Sequence, residues 1–166
     1  MSLNLPPYNL FPVISNEMVS LYQIDNECIN QLVSISFYDG VQASNIHEAI
    51  EMNERIKKDY CDGNSIHWAI CENNTKRIVG TCGFYRGFTN ETGEIGCVLL
   101  PEFQGKGFMT SALSLVIEFG INKIGLSKIC ALTSVENLKA ILLLNRLKFE
   151  KIKEVEMDLM LFEYSN

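Results

Sequence analysis

Ile95-Gly-Cys-Val-Leu-Leu-Pro-Glu-Phe-Gln-Gly-Lys-Gly-Phe-Met109 is the stretch on which the reading of this chain turns. An apolar, β-branched run ends at Pro101, and a short loop with two glycines follows. Helical spacing then begins almost at once, with Met109, Ala112, Leu113, Val116, Ile117 and Gly120 on one face. Successive backbone N–H groups in such a loop, with the open N-terminus of a helix behind them, form a cradle for phosphate. Gly105 and Gly107 permit the sharp path and a close approach to the backbone. The spacing is neither that of a Walker loop nor that of a dinucleotide fingerprint. A tight strand-to-helix turn would by itself account for both glycines.

Upstream of this stretch the period is close to 2. Met18 to Ile24 reads as a strand, Ile66, Trp68 and Ile70 as one face of a half-buried strand, and Arg77 to Tyr85 and Glu94 to Leu100 as two more. Gly80 and Gly83 suggest a bulge or close approach, and Asn73-Asn74 a hairpin turn. Between the first two strands the period is helical. One helix, capped by Asp25 or Asn26, carries Ile29, Leu32, Val33 and Phe37 inward and ends at Asp39-Gly40. A second runs from about Ile46 to Tyr60 with Ile46, Ala49, Ile50 and Ile56 on one side, and Asp62-Gly63-Asn64 turns the chain. Downstream, Lys128 to Ser134 is a strand and Asn137 to Leu147 a helix with Ala140, Ile141, Leu144 and Leu147 inward. Phe149 to Ile152 and Met157 to Tyr164 are closing strands. The order β-α-α-β-β-β-α-β-α-β-β predicts one mixed α/β sheet, antiparallel early, with a parallel pair where a helix crosses over.

The length of 166 residues makes a single domain over 1–166 the expectation, and 47% hydrophobic with 20% charged residues is enough to fill a core. A net charge of −6 disfavours nonspecific nucleic-acid binding, which needs a basic field, but leaves room for an anionic ligand held locally. No apolar stretch reaches the roughly 18 residues of a membrane helix, and the N-terminus lacks the basic-then-apolar order of a signal peptide. Six scattered cysteines with no CxxC pair, away from His47 and His67, argue for reduced thiols in a cytoplasmic protein over a disulfide framework or a metal site.

Taken together, these residues resemble the GNAT superfamily of acetyl-CoA-dependent N-acetyltransferases. The family's pyrophosphate loop, Gln/Arg-x-x-Gly-x-Gly/Ala, is matched at Gln104 and Gly107, with Met109 in place of the last small residue. The wording around it looks most like the branch of the ribosomal-protein-alanine acetyltransferases. So do Trp68-Ala69-Ile70, residues 78–81, Glu94-Ile95-Gly96, Phe11-Pro12 and the late run Asn137, Ala140, Leu143, Leu144, Leu147, Phe149. The resemblance implies about seven strands in a mostly antiparallel sheet, splayed between the fourth and fifth, with about four flanking helices. Acetyl-CoA would lie with its pyrophosphate on Gln104, Gly105, Lys106, Gly107, Phe108 and Met109. Its pantetheine would pair with the backbone of Cys97, Val98 and Leu99. Four residues depart from the pattern: Leu144 stands where many members carry a tyrosine that protonates the leaving thiolate, and Lys148 replaces a glycine before Phe149. Ser111 stands where glutamate is common, and Leu21-Tyr22-Gln23 replaces Leu-Arg-Pro.

Acetyl transfer to an amine needs a positioned thioester, a neutral amine, oxyanion stabilisation and a leaving thiolate. A thiol with a pKa of roughly 8.5 leaves with little help, so loss of the tyrosine is survivable. Glu94 is the candidate catalytic base, or an ordinary polar residue at a strand start. Asn137 is a candidate amide contact to pantetheine and, compatibly, a helix cap. Lys106 is either a phosphate partner or a solvated loop lysine. A nucleophilic Cys97 would need a base, and none can be placed beside it, which favours direct transfer. Trp68 and Tyr85 read as core or sheet-face residues. The resemblance implies a primary amine as acceptor, either a peptide N-terminus or a small molecule, and the expectation is a monomer or homodimer with no metal, nucleic acid or membrane partner. The alternative is a non-catalytic acetyl-CoA-binding sensor or partner-binding module, or a structural subunit with no affinity for the donor.

Overall fold

The computed structural model describes residues 2–155 and 158–165. Its strands are β1 (Ile14–Ser15), β2 (Val19–Gln23), β3 (Phe37–Tyr38), β4 (Val41–Gln42), β5 (Ile66–Glu72), β6 (Ile78–Tyr85), β7 (Thr92–Leu99), β8 (Lys128–Ser134), β9 (Glu150–Val155) and β10 (Leu159–Ser165). The helices are α1 (Asn26–Leu32), α2 (Ile46–Cys61), α3 (Phe108–Phe119) and α4 (Leu138–Arg146). Eight strands form one sheet in the order β1-β2-β5-β6-β7-β8-β10-β9. Every neighbouring pair is antiparallel except β7 and β8, which α3 joins as a parallel crossover. The eighth strand beyond the expected seven is β1, a two-residue edge on β2. The expected start of the last strand at Met157 lies outside the described residues.

Caps and apolar spacing explain the helices. Asp25 accepts from the Cys28 N–H at 2.8 Å, Asn45 from Glu48 at 3.0 Å and Asn137 from Ala140 at 3.1 Å, each satisfying an otherwise orphaned donor. On one face of the sheet α3 packs against β2 and β6, with Trp68 edge-on to Phe119 at 5.3 Å. On the other, α1 and α2 pack on each other and on β5 and β6. Strand β5 is therefore covered on both faces, and Trp68, Ala69, Ile70 and Cys71 are all buried. The half-buried reading of that strand is corrected: its second face lies under α1 and α2.

Two further expectations are corrected. The first helix does not reach Phe37. It tightens into a 3-10 turn at Val33–Ile35, and Phe37–Tyr38 pairs with Val41–Gln42 in a hairpin around Asp39-Gly40. Both turn residues have positive φ, 49° and 77°, the conformation that a two-residue hairpin turn requires and that Asp-Gly supplies. Phe37 is exposed as a result. Ile46, at the first position of α2, is exposed rather than inward, since the helix buries Ala49 and Asn53.

Candidate active site

The parallel pairing of β7 with β8 covers only Thr92, Gly93 and Glu94, opposite Lys128, Ile129 and Cys130. Beyond Glu94 the strands part, although β7 stays paired with β6 as far as Leu99 against Gly80. The β8-facing edge of Ile95–Leu99 thus carries backbone groups that β8 does not meet, a ready edge for an added extended ligand. Gly80 makes the β6–β7 approach possible: a Cβ there would stand 2.3 Å from the Val98 carbonyl oxygen.

At the far end of β7 the chain turns through Pro101–Phe103 into the glycine loop. Gly105 and Gly107 sit at φ 75° and 85°, and Gly107 is the cap residue of α3. An added Cβ at Gly105 would meet nothing within 4 Å, and at Gly107 only the tip of Met18 at 3.9 Å. These glycines serve the backbone path and leave open space above it. The N–H groups of Phe108, Met109 and Thr110 head the helix with no side-chain cap, while the side chains of Phe108 and Met109 are buried beneath. This is an anion cradle made of backbone. Lys106 holds its ammonium 5.5 Å from the centre of the Phe103 ring, and the Arg77 guanidinium lies 4.7 Å from the same centre. Two further cations lie at the helix mouth. Lys139 donates to the Gln104 side chain at 3.1 Å, and Arg146 donates to the Thr110 hydroxyl at 3.2 Å. Their signal was position: both lie on the helix that opens at Asn137.

At the near end of β7 a cavity of 660 Å³ opens under α1 and α2. Glu94 and Val98 line it, together with Asn53, His67 and Tyr85. Side-chain alternation puts Glu94 and Val98 on the cavity face, and Cys97, paired opposite Cys82, on the α3 face. Burial pushes the Cys97 thiol up to about 12. Glu94 is ion-paired with Arg86, a partner the sequence reading did not foresee. His67 stands edge-on to Tyr85 at 5.2 Å, and burial lowers its pKa to about 4, so it is neutral at pH 7. Burial also raises the Tyr85 phenol well above its ordinary value. Asn137 remains exposed at the start of α4. Leu144 is buried, so no proton donor stands at that position. The structure thus places Glu94 at the cavity and the glycine loop at the opposite end of the same strand, joined by the unzipped edge.

The model of the acetyltransferase (GNAT) domain family matches residues 20–150. Among curated proteins, the uncharacterized N-acetyltransferase YoaA of Bacillus subtilis (strain 168) is 27% identical over 150 residues, covering 86% of this chain and 85% of that protein. Among solved structures, a Vibrio cholerae protein provisionally described as a ribosomal-protein-serine acetyltransferase superposes with a TM-score of 0.82 at 15% identity, covering 100% of both chains. The microcin C7 self-immunity acetyltransferase MccE, solved with acetyl-CoA and AMP, superposes with a TM-score of 0.74 at 20% identity, covering 91% of this chain and 94% of that one.

Proposed function

The chain belongs to the GNAT acetyltransferase family, an acetyl-CoA-dependent enzyme family, and from that premise we propose that it passes the acetyl group directly to a primary amine held in the 660 Å³ cavity. The observation that carries this reading is the loss of β7–β8 pairing after Glu94, which links the backbone cradle at one end of β7 to the cavity at the other. The residues present fit the donor. Open space over Gly105 and Gly107 and the free helix N-terminus suit a pyrophosphate, and the unpaired edge of Cys97, Val98 and Leu99 suits an extended amide chain. The bound donor supplies an activated thioester carbonyl. Gly105 to Met109 hold its pyrophosphate through backbone N–H groups, the Gln104 N–H being given to the Pro101 carbonyl, and Lys139 and Arg146 add positive field at the mouth. A β7 N–H can polarise the carbonyl oxygen. Glu94 accepts the amine proton, directly or through water. Cys97 takes no part as nucleophile, because its thiol stays protonated on the other side of the strand. We take residues 1–166 as one such domain, acting as monomer or homodimer. The six free cysteines favour the cytoplasm.

Calorimetry of a folded Gly107→Glu variant tests the placement. A carboxylate in the cradle should weaken acetyl-CoA binding at least about tenfold, each tenfold being worth about 1.4 kcal/mol. Unchanged affinity removes the donor from this loop. Thiol release that does not depend on any added amine, with normal donor affinity, would leave a binding module in place of an enzyme.

A further inference from the structure

Asn53 occupies a core position of α2, one turn after buried Ala49, and is itself only 6% exposed. Its amide makes no hydrogen bond among the described residues, and its buried Nδ2 has no partner. The buried Nδ1 of His67, on the facing strand β5, is likewise unpartnered. Both side chains line the 660 Å³ cavity that also holds Glu94. An unpaired polar group in a core is destabilising, and two facing one cavity are not explained by packing. Ala49 and Ile56 on the same helix show that apolar residues suit this surface.

The chemistry of the two groups selects a ligand. An amide offers one donor group and one acceptor, and a neutral imidazole offers one of each. A polyamine carries only N–H donors, so it leaves the Asn53 NH₂ unmet whichever way the amide faces. An amine with a carbonyl or hydroxyl oxygen close by satisfies it. The cationic end of such an acceptor has Glu94, Asp59 and Asp39 in the same cavity.

Resting on the acceptor reading above, we propose that Asn53 and His67 determine acceptor specificity by hydrogen-bonding an oxygen next to the reactive amine. The acceptors are then oxygen-bearing primary amines, and simple polyamines are discriminated against. The oxygen belongs either to the first carbonyl of a peptide or to the hydroxyl of an amino alcohol.

The experiment compares wild type and Asn53→Leu on three amines: a tetrapeptide with a free N-terminus, ethanolamine and spermidine. The expected result is a higher kcat/KM for an oxygen-bearing amine than for spermidine. Asn53→Leu should lower that value about tenfold or more while leaving spermidine within about twofold, the asymmetry expected when a site built to hydrogen-bond loses its group. The ranking of peptide against ethanolamine assigns the source of the oxygen. The free Asn53→Leu protein should also melt higher than wild type, since an unpaired amide gives way to an apolar side chain. Spermidine as the best acceptor, unaffected by Asn53→Leu, overturns the proposal. So does a lowered Tm in both Asn53→Leu and Asn53→Ala with acceptor ranking unchanged, which makes Asn53 a packing residue. If no amine is acetylated although acetyl-CoA binds, the proposed reaction fails separately. The shift in Tm of the CoA-saturated protein with each amine then decides: a larger shift with an oxygen-bearing amine supports the inference, and an equal or larger one with spermidine overturns it.

Discussion

On the sheet wall of the cavity, His67 and Glu94 are the side chains that could take a proton from the acceptor amine, and their environments separate them. Burial pushes His67 down to about 4 because it disfavours the cation that this base would become, and its buried Nδ1 has no partner among the described residues to pass a proton to. Glu94 is paired with Arg86 and keeps 19% of its side chain exposed, enough for water to reach it and carry the proton away. Glu94→Gln should keep acetyl-CoA affinity and lose about 10²- to 10⁴-fold in turnover, with the loss shrinking at high pH where free amine is abundant. Steady-state rates across a pH series check this. A near-normal rate at every pH would hand the proton to water or to the acceptor. Glu94 was legible in the sequence because a strand start and a family pattern coincide there. Asn53 was not, although its signal was present. It is a polar residue on the face of α2 that also carries Ala49 and Ile56, and a reading that collects apolar positions steps over it.

Elements were legible where one period ran uninterrupted. Strand β8 and helix α4 fall within a residue of their expected bounds, because the first is one unbroken β-branched run and the second an amphipathic stripe opened by the Asn137 cap. The first helix was overrun because Phe37 keeps helical spacing from Val33, and spacing alone does not show that Asp39-Gly40 closes a hairpin instead of ending a helix. Helix α4 ends in a paired turn, with Lys148 N–H donating to Asn145 at 3.0 Å and Phe149 N–H to Leu144 at 3.0 Å. That turn needs a left-handed residue, and Lys148 supplies it at φ 64°. A side chain with a Cβ is disfavoured there by about 1–2 kcal/mol, partly offset by the larger unfolded-state entropy of glycine. Lys148→Gly should therefore stabilise the protein by about 0.5–1 kcal/mol, a rise of roughly 1–4 °C in Tm. A lower Tm would mean that the lysine stem contributes more than the strain costs.

At the scale of the molecule, the sheet order follows from two crossover helices, α3 between β7 and β8 and α4 between β8 and β9, among antiparallel connections, so mixed topology could be read from the alternation of periods. The depth of the cavity could not, because it depends on α1 and α2 covering a strand face that alternation alone leaves open to solvent. That cover also ties the fold's stability to pH. His67 sits beneath it and resists protonation in the folded state, with a pKa of about 4 against 6.5 in an unfolded chain. Above about pH 6.5 neither state binds the proton and the residue costs nothing. Between 6.5 and 4 the unfolded chain binds a proton that the folded one refuses, so stability falls as pH falls. The loss between about pH 7 and about pH 5 is roughly 2 kcal/mol. Asp25 and Glu48, whose carboxyls are held below the usual range by backbone N–H groups, lose their contribution only at lower pH, so this window isolates the histidine. Urea unfolding at the two pH values should show the drop in wild type and little of it in His67→Gln, whose amide does not titrate. An equal drop in both proteins would place the pH sensitivity elsewhere, and would mean that the imidazole beneath α2 already reaches solvent in the folded state.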